Sequence, residues 1–198
     1  MNTRLVGVGV GGDEPHPWRD LGFDVTDGAV AVANGAVLLG ATGLVVSGVA
    51  DLPADLDGVP LSSGEVVPAG DHPNGAFEFD HLVLLTDSLA RTSAAIEDAL
   101  GLECRRVRET PDVRQAFHRF TDEPGARGCI LELAETARVE GTSLMGVVFN
   151  LHDLEGAVER LGPELVSPPK PAVQPGRLIS TVRRAAGLPT AVALMTPG

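Results

Sequence analysis

Short apolar runs and amphipathic stripes recur along this chain in one order, three times over: a strand, a helix, then further strands. The middle copy is the clearest. His81 to Leu85 is an apolar run of the length that a strand buried on both faces adopts, and Thr86 or Asp87 can cap the helix that follows. That helix carries Leu89, Ile96, Ala99 and Leu100 on one face until Gly101 stops it. Strands are then expected at Glu103 to Arg108, Gln115 to Phe120 and Cys129 to Leu133. The last copy opens with a strand from Gly146 to Leu151. A helix with Leu154, Ala157, Val158 and Leu161 in one stripe follows and ends at Gly162 and Pro163. Strands at Leu165 to Val166, Leu178 to Arg183 and Ala191 to Met195 complete it, with a proline-stiffened loop between Pro168 and Pro175.

The first copy is weaker. It predicts a Val/Gly strand from Leu5 to Val10, a short helix around Trp18, and strands near Phe23, Ala29 to Ala33, Ala36 to Leu39 and Leu44 to Val49, with a hairpin turn at Asn34-Gly35. Gly7-Val8-Gly9-Val10-Gly11-Gly12 formally matches a dinucleotide-binding glycine motif, but Asp13, Glu14, Pro15 and Pro17 follow where a helix should open toward phosphate. A glycine-rich strand packed close to its neighbours is the expectation. Residues 51–76 are rich in Pro, Gly and Asp. The expected organisation is a degenerate N-terminal module at 1–60, a linker at 61–76, and paired modules at 77–137 and 143–198.

Composition narrows the partners. With 198 residues, 43% of them hydrophobic, the chain can bury a substantial core. A net charge of −12 excludes the basic field that nucleic-acid binding needs and leaves cationic or neutral ligands open. One of the 15 basic residues is lysine and the rest are arginine, a bias read as genomic and given no functional weight. Cys104 and Cys129 stand too far apart for a zinc knuckle or a disulfide framework. Leu5 to Val10 lacks the apolar region of a signal peptide, and no run approaches the roughly 18 apolar residues of a membrane span. The expected compartment is the cytoplasm, with no membrane partner. Open sheet edges leave a homodimer as one way of covering them.

Phe79-Asp80-His81-Leu82-Val83-Leu84-Leu85, followed by a helix and later by Cys129-Ile130-Leu131-Glu132-Leu133, resemble the first βαβββ module of the vicinal-oxygen-chelate superfamily, which holds glyoxalase I, extradiol dioxygenases and bleomycin-resistance proteins. Residues 146 to 195 resemble the second module, and residues 1 to 50 a third, degenerate one. The likeness implies an α+β fold of repeated βαβββ modules, forming curved half-barrel mixed sheets with helices on the outside. It also implies, for metal-using members, ligands on the first and last strands of each module. His81 and Glu132 stand at those places in the first module, an imidazole and a carboxylate suited to Zn, Ni, Mn or Fe. The second module offers Met145 or Gly146 and about Ala193, none of which ligates a hard metal. His118 becomes a third ligand if its strand points it inward. Otherwise His81 is a buried histidine bonded to Glu132 or to backbone.

The remaining candidates are less specific. Arg105, Arg106 and Arg108 form one basic cluster, and Arg177, Arg183 and Arg184 another, from which Arg183 could enter the cavity and clamp an anionic ligand group. His16, His72 and His152 are expected at the surface, and both cysteines as packed thiols. The expected function is that of a small-molecule-binding protein without a complete metal site, its ligand in the cleft between the modules and oriented by His81, Gln115, His118, Glu132 and Arg183. The alternatives are a metal-dependent lyase, isomerase or dioxygenase using His81 and Glu132, and a structural or interaction protein with a vestigial pocket. Whether the chain is an enzyme is left open by its residues.

Overall fold

The computed structural model describes residues 2–111, 113–122 and 126–198. Its N-terminal part runs β1 (Arg4–Val10), α1 (His16–Asp20), β2 (Ala29–Val32), β3 (Gly35–Leu38), β4 (Thr42–Ser47), β5 (Asp55–Leu56) and β6 (Val59–Ser63). These strands form one six-stranded sheet in the order β2-β3-β1-β4-β6-β5. The chain continues with β7 (Ala76–Thr86), α2 (Leu89–Leu100), β8 (Arg106–Glu109), β9 (Arg114–Arg119), β10 (Ile130–Glu135), β11 (Thr142–Leu151), α3 (Leu154–Leu161), β12 (Lys170–Pro171), β13 (Leu178–Thr181) and β14 (Ala191–Met195). An eight-stranded mixed sheet results, in the order β12-β13-β14-β11-β7-β10-β9-β8. The fold is α+β, with open sheets and few helices.

Each half of the large sheet repeats one pattern. The first strand lies parallel to the last, β7 to β10 and β11 to β14, and the antiparallel β7–β11 pair joins the halves. The N-terminal sheet keeps these relations with fewer strands: β1 is parallel to β3, β4 is parallel to β6, and β1 and β4 are antiparallel. No helix separates β4 from β5.

Local chemistry explains the helices. Ser88, rather than Thr86 or Asp87, caps α2 by accepting the Arg91 amide, and Gly101 ends it at φ 65°, a conformation that costs glycine nothing. Asp153 caps α3 through the Gly156 amide. Two expected strands are absent among the described residues. Phe23 sits in the turn after α1, where its ring packs on Trp18 and Phe149. Val166 makes an isolated bridge to Val182, and Lys170–Pro171 takes the edge position instead.

The two sheets share one core. Val8, Val30, Val37 and Leu44 from the small sheet join Leu82, Leu84, Leu131 and Leu133 from the large one, with Ile96 of α2 in the same cluster. Leu82, Leu84, Leu131 and Leu133 alternate with half-buried residues, so one face of the large sheet packs into the core and the other is free for chemistry. Asn34, buried at the tip of the β2–β3 hairpin, accepts the Phe79 amide and donates to the carbonyls of Phe79 and Arg127. In β1, a Cβ at Gly9 would come within 2.4 Å of the Ala41 carbonyl carbon, so this glycine serves close strand packing. No helix among the described residues is long and apolar enough to cross a membrane.

Candidate functional site

The face of the large sheet opposite the core carries a cavity of about 880 Å³, open on one side. Strand pairing orders its floor. Arg106 of β8 lies opposite Phe117 of β9, which lies opposite Glu132 of β10, which lies opposite Val83 of β7. In the next row Arg119, Ile130 and His81 are neighbours, and in the row on the other side Arg108 faces Gln115. Val173, Gln174 and Pro175, from the loop between β12 and β13, also line it. The cavity is thus walled mostly by the first half of the sheet, with the proline-rich loop of the second half contributing one side.

A β-bulge sets up the centre. Pairing of β7 with β11 slips by one residue between His81–Val148 and Phe79–Phe149, which leaves Asp80 without an opposite residue. Asp80 lies beside His81 and accepts its Nδ1–H at 2.7 Å. The other Asp80 oxygen accepts from Arg177 at 2.5 Å, and the same guanidinium nitrogen donates to Asn150 Oδ1 at 2.7 Å. Burial works to raise the Asp80 carboxyl, but the hydrogen bonds of His81 and Arg177 outweigh it and hold the group below the usual carboxylate range.

With Nδ1 committed to Asp80, the imidazole presents Nε2 to Glu132, 3.9 Å from its Oε2. Glu132 Oε1 accepts from Gln115 Nε2 at 2.5 Å. Burial pushes the Glu132 carboxyl above its ordinary range, against the opposing pull of His81, Gln115 and Arg108. The centre of the cavity therefore holds an oriented imidazole nitrogen and a carboxyl group with one oxygen left for a ligand. His81, Glu132 and Gln115 are the sequence candidates that the structure brings together.

His118 and Arg183 it places elsewhere. His118 reaches the cavity wall with no free ring nitrogen: Nδ1 donates to the Leu102 carbonyl at 2.7 Å and Nε2 accepts from Ser93 Oγ at 3.0 Å. Alternation along β9 turns it toward α2, and with both ring nitrogens bonded it has none to offer a metal. Arg183 is exposed at the start of a short 3-10 turn and donates to the Val166 carbonyl. Arg177 is the second-half arginine that reaches the centre. Sequence reasoning missed Asp80 as well, because strand alternation counts it on the opposite face from His81 and only the bulge reverses that. Cys129 is fully buried and its thiol is pushed well up by burial, so it is a packed thiol. His72, expected at the surface, is buried between Asp24 and Ala31.

Solved structures share this fold. A variant of Streptomyces coelicolor methylmalonyl-CoA epimerase, in complex with 2-nitronate-propionyl-CoA, is 19% identical with a TM-score of 0.51, covering 62% of this chain and 99% of that one. Methylmalonyl-CoA epimerase from Mycobacterium tuberculosis is 15% identical with a TM-score of 0.50, covering 63% and 90%. The chain has the vicinal-oxygen-chelate fold. No protein-family model matches the sequence, and no curated protein matches it at a significant level. The shared fold extends over a part of the chain equal in size to the segment from Ala76 onward.

The vicinal-oxygen-chelate fold raises the question of a metal, and the donor set answers it. His81 Nε2 and Glu132 Oε2 are close enough to share an ion, but Asp80 is already bonded to His81 and Arg177. Across the β7–β11 pair, the residues that share their face are Val148 and Gly146, and beyond them Ala193 and Ala191 on β14. No group of three or more His, Cys, Asp or Glu side chains among the described residues is arranged to hold a metal ion. Two ligands are fewer than a resident catalytic metal ordinarily has, so these residues do not fit one.

Proposed function

We propose that this chain is a small-molecule-binding protein whose ligand occupies the cavity over β7 to β10, held by His81, Gln115 and Glu132. The observation that supports this best is the cavity itself. At about 880 Å³ it is of the size that holds metabolites and drug-like molecules, and it sets apolar side chains such as Phe117 and Ile130 among converging polar and charged groups. In this reading residues 77–137 and 143–198 form the paired binding unit, residues 1–60 brace its other face, and 61–76 connect the two. Amide NMR of the chain against a panel of ring-sized small molecules tests it. Binding should shift resonances of His81, Gln115, Phe117 and Glu132 together. Shifts scattered over the surface, or none with any compound, would count against the proposal.

The 3.9 Å approach of His81 to Glu132 supports a second reading, a metal-dependent lyase, isomerase or dioxygenase. Elemental analysis of tag-free protein separates the two. One equivalent of Zn, Ni, Mn or Fe that both His81→Ala and Glu132→Ala abolish would favour the enzyme, with a ligand supplied from outside the described set. Metal content unaffected by either substitution would leave the binding reading in place.

A further inference from the structure

The chain is strongly acidic, yet the wall of its cavity is basic. Arg105, Arg106, Arg108 and Arg119 all line it. Arg119 is engaged by Asp122 and the Gly128 carbonyl, and Arg105 has a loose exposed pairing with Glu103 at 3.9 Å. Arg106 has no ion-pair partner among the described residues, and Arg108 makes no direct ion pair: it meets the neutral Gln115 side chain at 3.5 Å and feels the Glu132 carboxylate beyond it. Arg106 and Arg108 stand two residues apart on β8, so both project from the same face of the edge strand. With 27 acidic residues against 15 basic ones, two neighbouring arginines that line a cavity without a direct carboxylate partner are not explained by the charge balance of the surface.

Between these arginines and the polar centre lies an apolar step. Phe117 sits directly between Arg106 and Glu132 in the pairing, with Ile130 beside it. Glu132 repels an anion, and His81 is bonded on its far side to a carboxylate, so the negative end of a ligand belongs at β8 and not at β10. What Glu132 accepts is a hydrogen-bond donor. Resting on the binding function proposed above, we infer that the ligand is an organic anion with a planar or ring-sized apolar body, its charged end held by Arg106 and Arg108 and a hydroxyl-type donor directed at Glu132. β8 and β10 are two strand spacings apart, about 9–10 Å between their backbones, so a ring-sized body fits between the two ends.

Titration calorimetry with three matched probes tests this. 4-Hydroxycinnamate has a carboxylate, a ring and a hydroxyl; 4-hydroxycinnamamide lacks the charge; cinnamate lacks the hydroxyl. The intact chain should bind 4-hydroxycinnamate at least tenfold more tightly than the amide, and that preference should shrink as salt rises from about 20 to 300 mM. Cinnamate should bind severalfold more weakly than 4-hydroxycinnamate. In the Arg106→Gln/Arg108→Gln variant, checked for native circular dichroism, acid and amide should bind within about threefold of each other. If the amide binds as well as the acid, or the acid preference survives in the double variant, the anion assignment falls while the cavity remains a binding site. If none of the three binds up to about 5 mM, the binding reading of this cavity falls and the inference with it.

Discussion

Arg177 is the residue through which the second half of the sheet supports the polar centre of the first, and replacing it has a calculable effect. Its side chain is 11% exposed and Asp80 is 8% exposed, so their 2.5 Å contact is a buried ion pair. Arg177→Met leaves the Asp80 carboxylate with His81 alone and strips donors from Asn150 Oδ1 and the Thr196 carbonyl. Breaking one partner of a buried pair costs about 3–5 kcal/mol. The remaining His81 bond places this case at the lower end, about 3 kcal/mol. Replacing both partners removes the stranded charge, so Asp80→Asn with Arg177→Met should cost about 2 kcal/mol less than the two single losses added together. pH gives an independent check. Asp80 is held below its usual range in the folded protein, so its contribution is present above about pH 4 and is lost as pH falls further. In Arg177→Met, burial acts with less opposition and raises the same carboxyl, which then folds more readily protonated. The stability gap between the intact chain and Arg177→Met should therefore be larger at pH 7.5 than at pH 4.5. Urea denaturation of the four proteins at both values measures this. A coupling energy within about 0.5 kcal/mol of zero, or a gap that does not change with pH, would refute the assignment of a buried, charge-compensated pair.

Three further outcomes follow from contacts outside the cavity. Asp57 accepts from both Arg91 nitrogens, Thr92 and Thr142, and these bonds override burial to bring its carboxyl from 3.8 down to about 2. That interval corresponds to about 2.4 kcal/mol at most, and with Arg91 46% exposed about 1–1.5 kcal/mol is expected, present above about pH 4 and lost toward pH 2; Asp57→Asn should flatten acid denaturation over that range. His72 accepts the Asp24 amide at Nδ1 and donates from Nε2 to the Ala31 carbonyl, and burial lowers its pKa, so it folds neutral. Stability should hold above pH 6.5 and decline as pH falls below it, a slope that thermal melts of His72→Leu should lack. Asn34→Ala removes three hydrogen bonds and leaves the Phe79 amide and carbonyl without their side-chain partner, which should cost about 2–4 kcal/mol and roughly 5–12 °C in Tm by calorimetry.

The parts of this fold that sequence makes legible are those set by periodicity and by caps. The stripe of Leu154, Ala157, Val158 and Leu161 marks α3 to the residue, and Gly101 ends α2 as its left-handed conformation requires. Alternation on β7 and β10 brings His81 and Glu132 to one face, and Gln115 follows from the pairing of β9. Register irregularities are illegible in the same terms. A single unpaired residue at Asp80 brings a carboxylate to His81 and gives Arg177 its partner, and nothing in the apolar pattern of Phe79 to Leu85 announces it. His118 was ambiguous because Gln115 and Arg119 are both polar; the Leu102 carbonyl and the Ser93 hydroxyl decide its direction, and both lie far from it in sequence. Net charge is equally silent on local grouping, since a sum over the whole chain hides the four arginines gathered at one cavity.

The two sheets offer an internal comparison that bears on whether the cavity is used. Both repeat the same parallel and antiparallel relations, and both turn one apolar face to the shared core. On its other face the small sheet carries Ala29, Ala31 and Ala36, all buried, with Leu38 and Val67 packed over them. A Cβ at Gly7 would meet Leu38 at 2.8 Å, so this surface is filled to contact. The large sheet had the same solution open to it and shows another. Here His81 and Glu132 border a volume of about 880 Å³ left for something else to occupy, and Asp80, Gln115 and Arg177 bond to them or to each other, polar groups whose burial is unfavourable unless each is bonded. Apolar residues of the same size would stabilise the fold better at these positions. The network is therefore better explained by what it presents to the cavity than by what it adds to the stability of the sheet, and the test is that Glu132→Leu should melt no lower than the intact chain while losing the ligand.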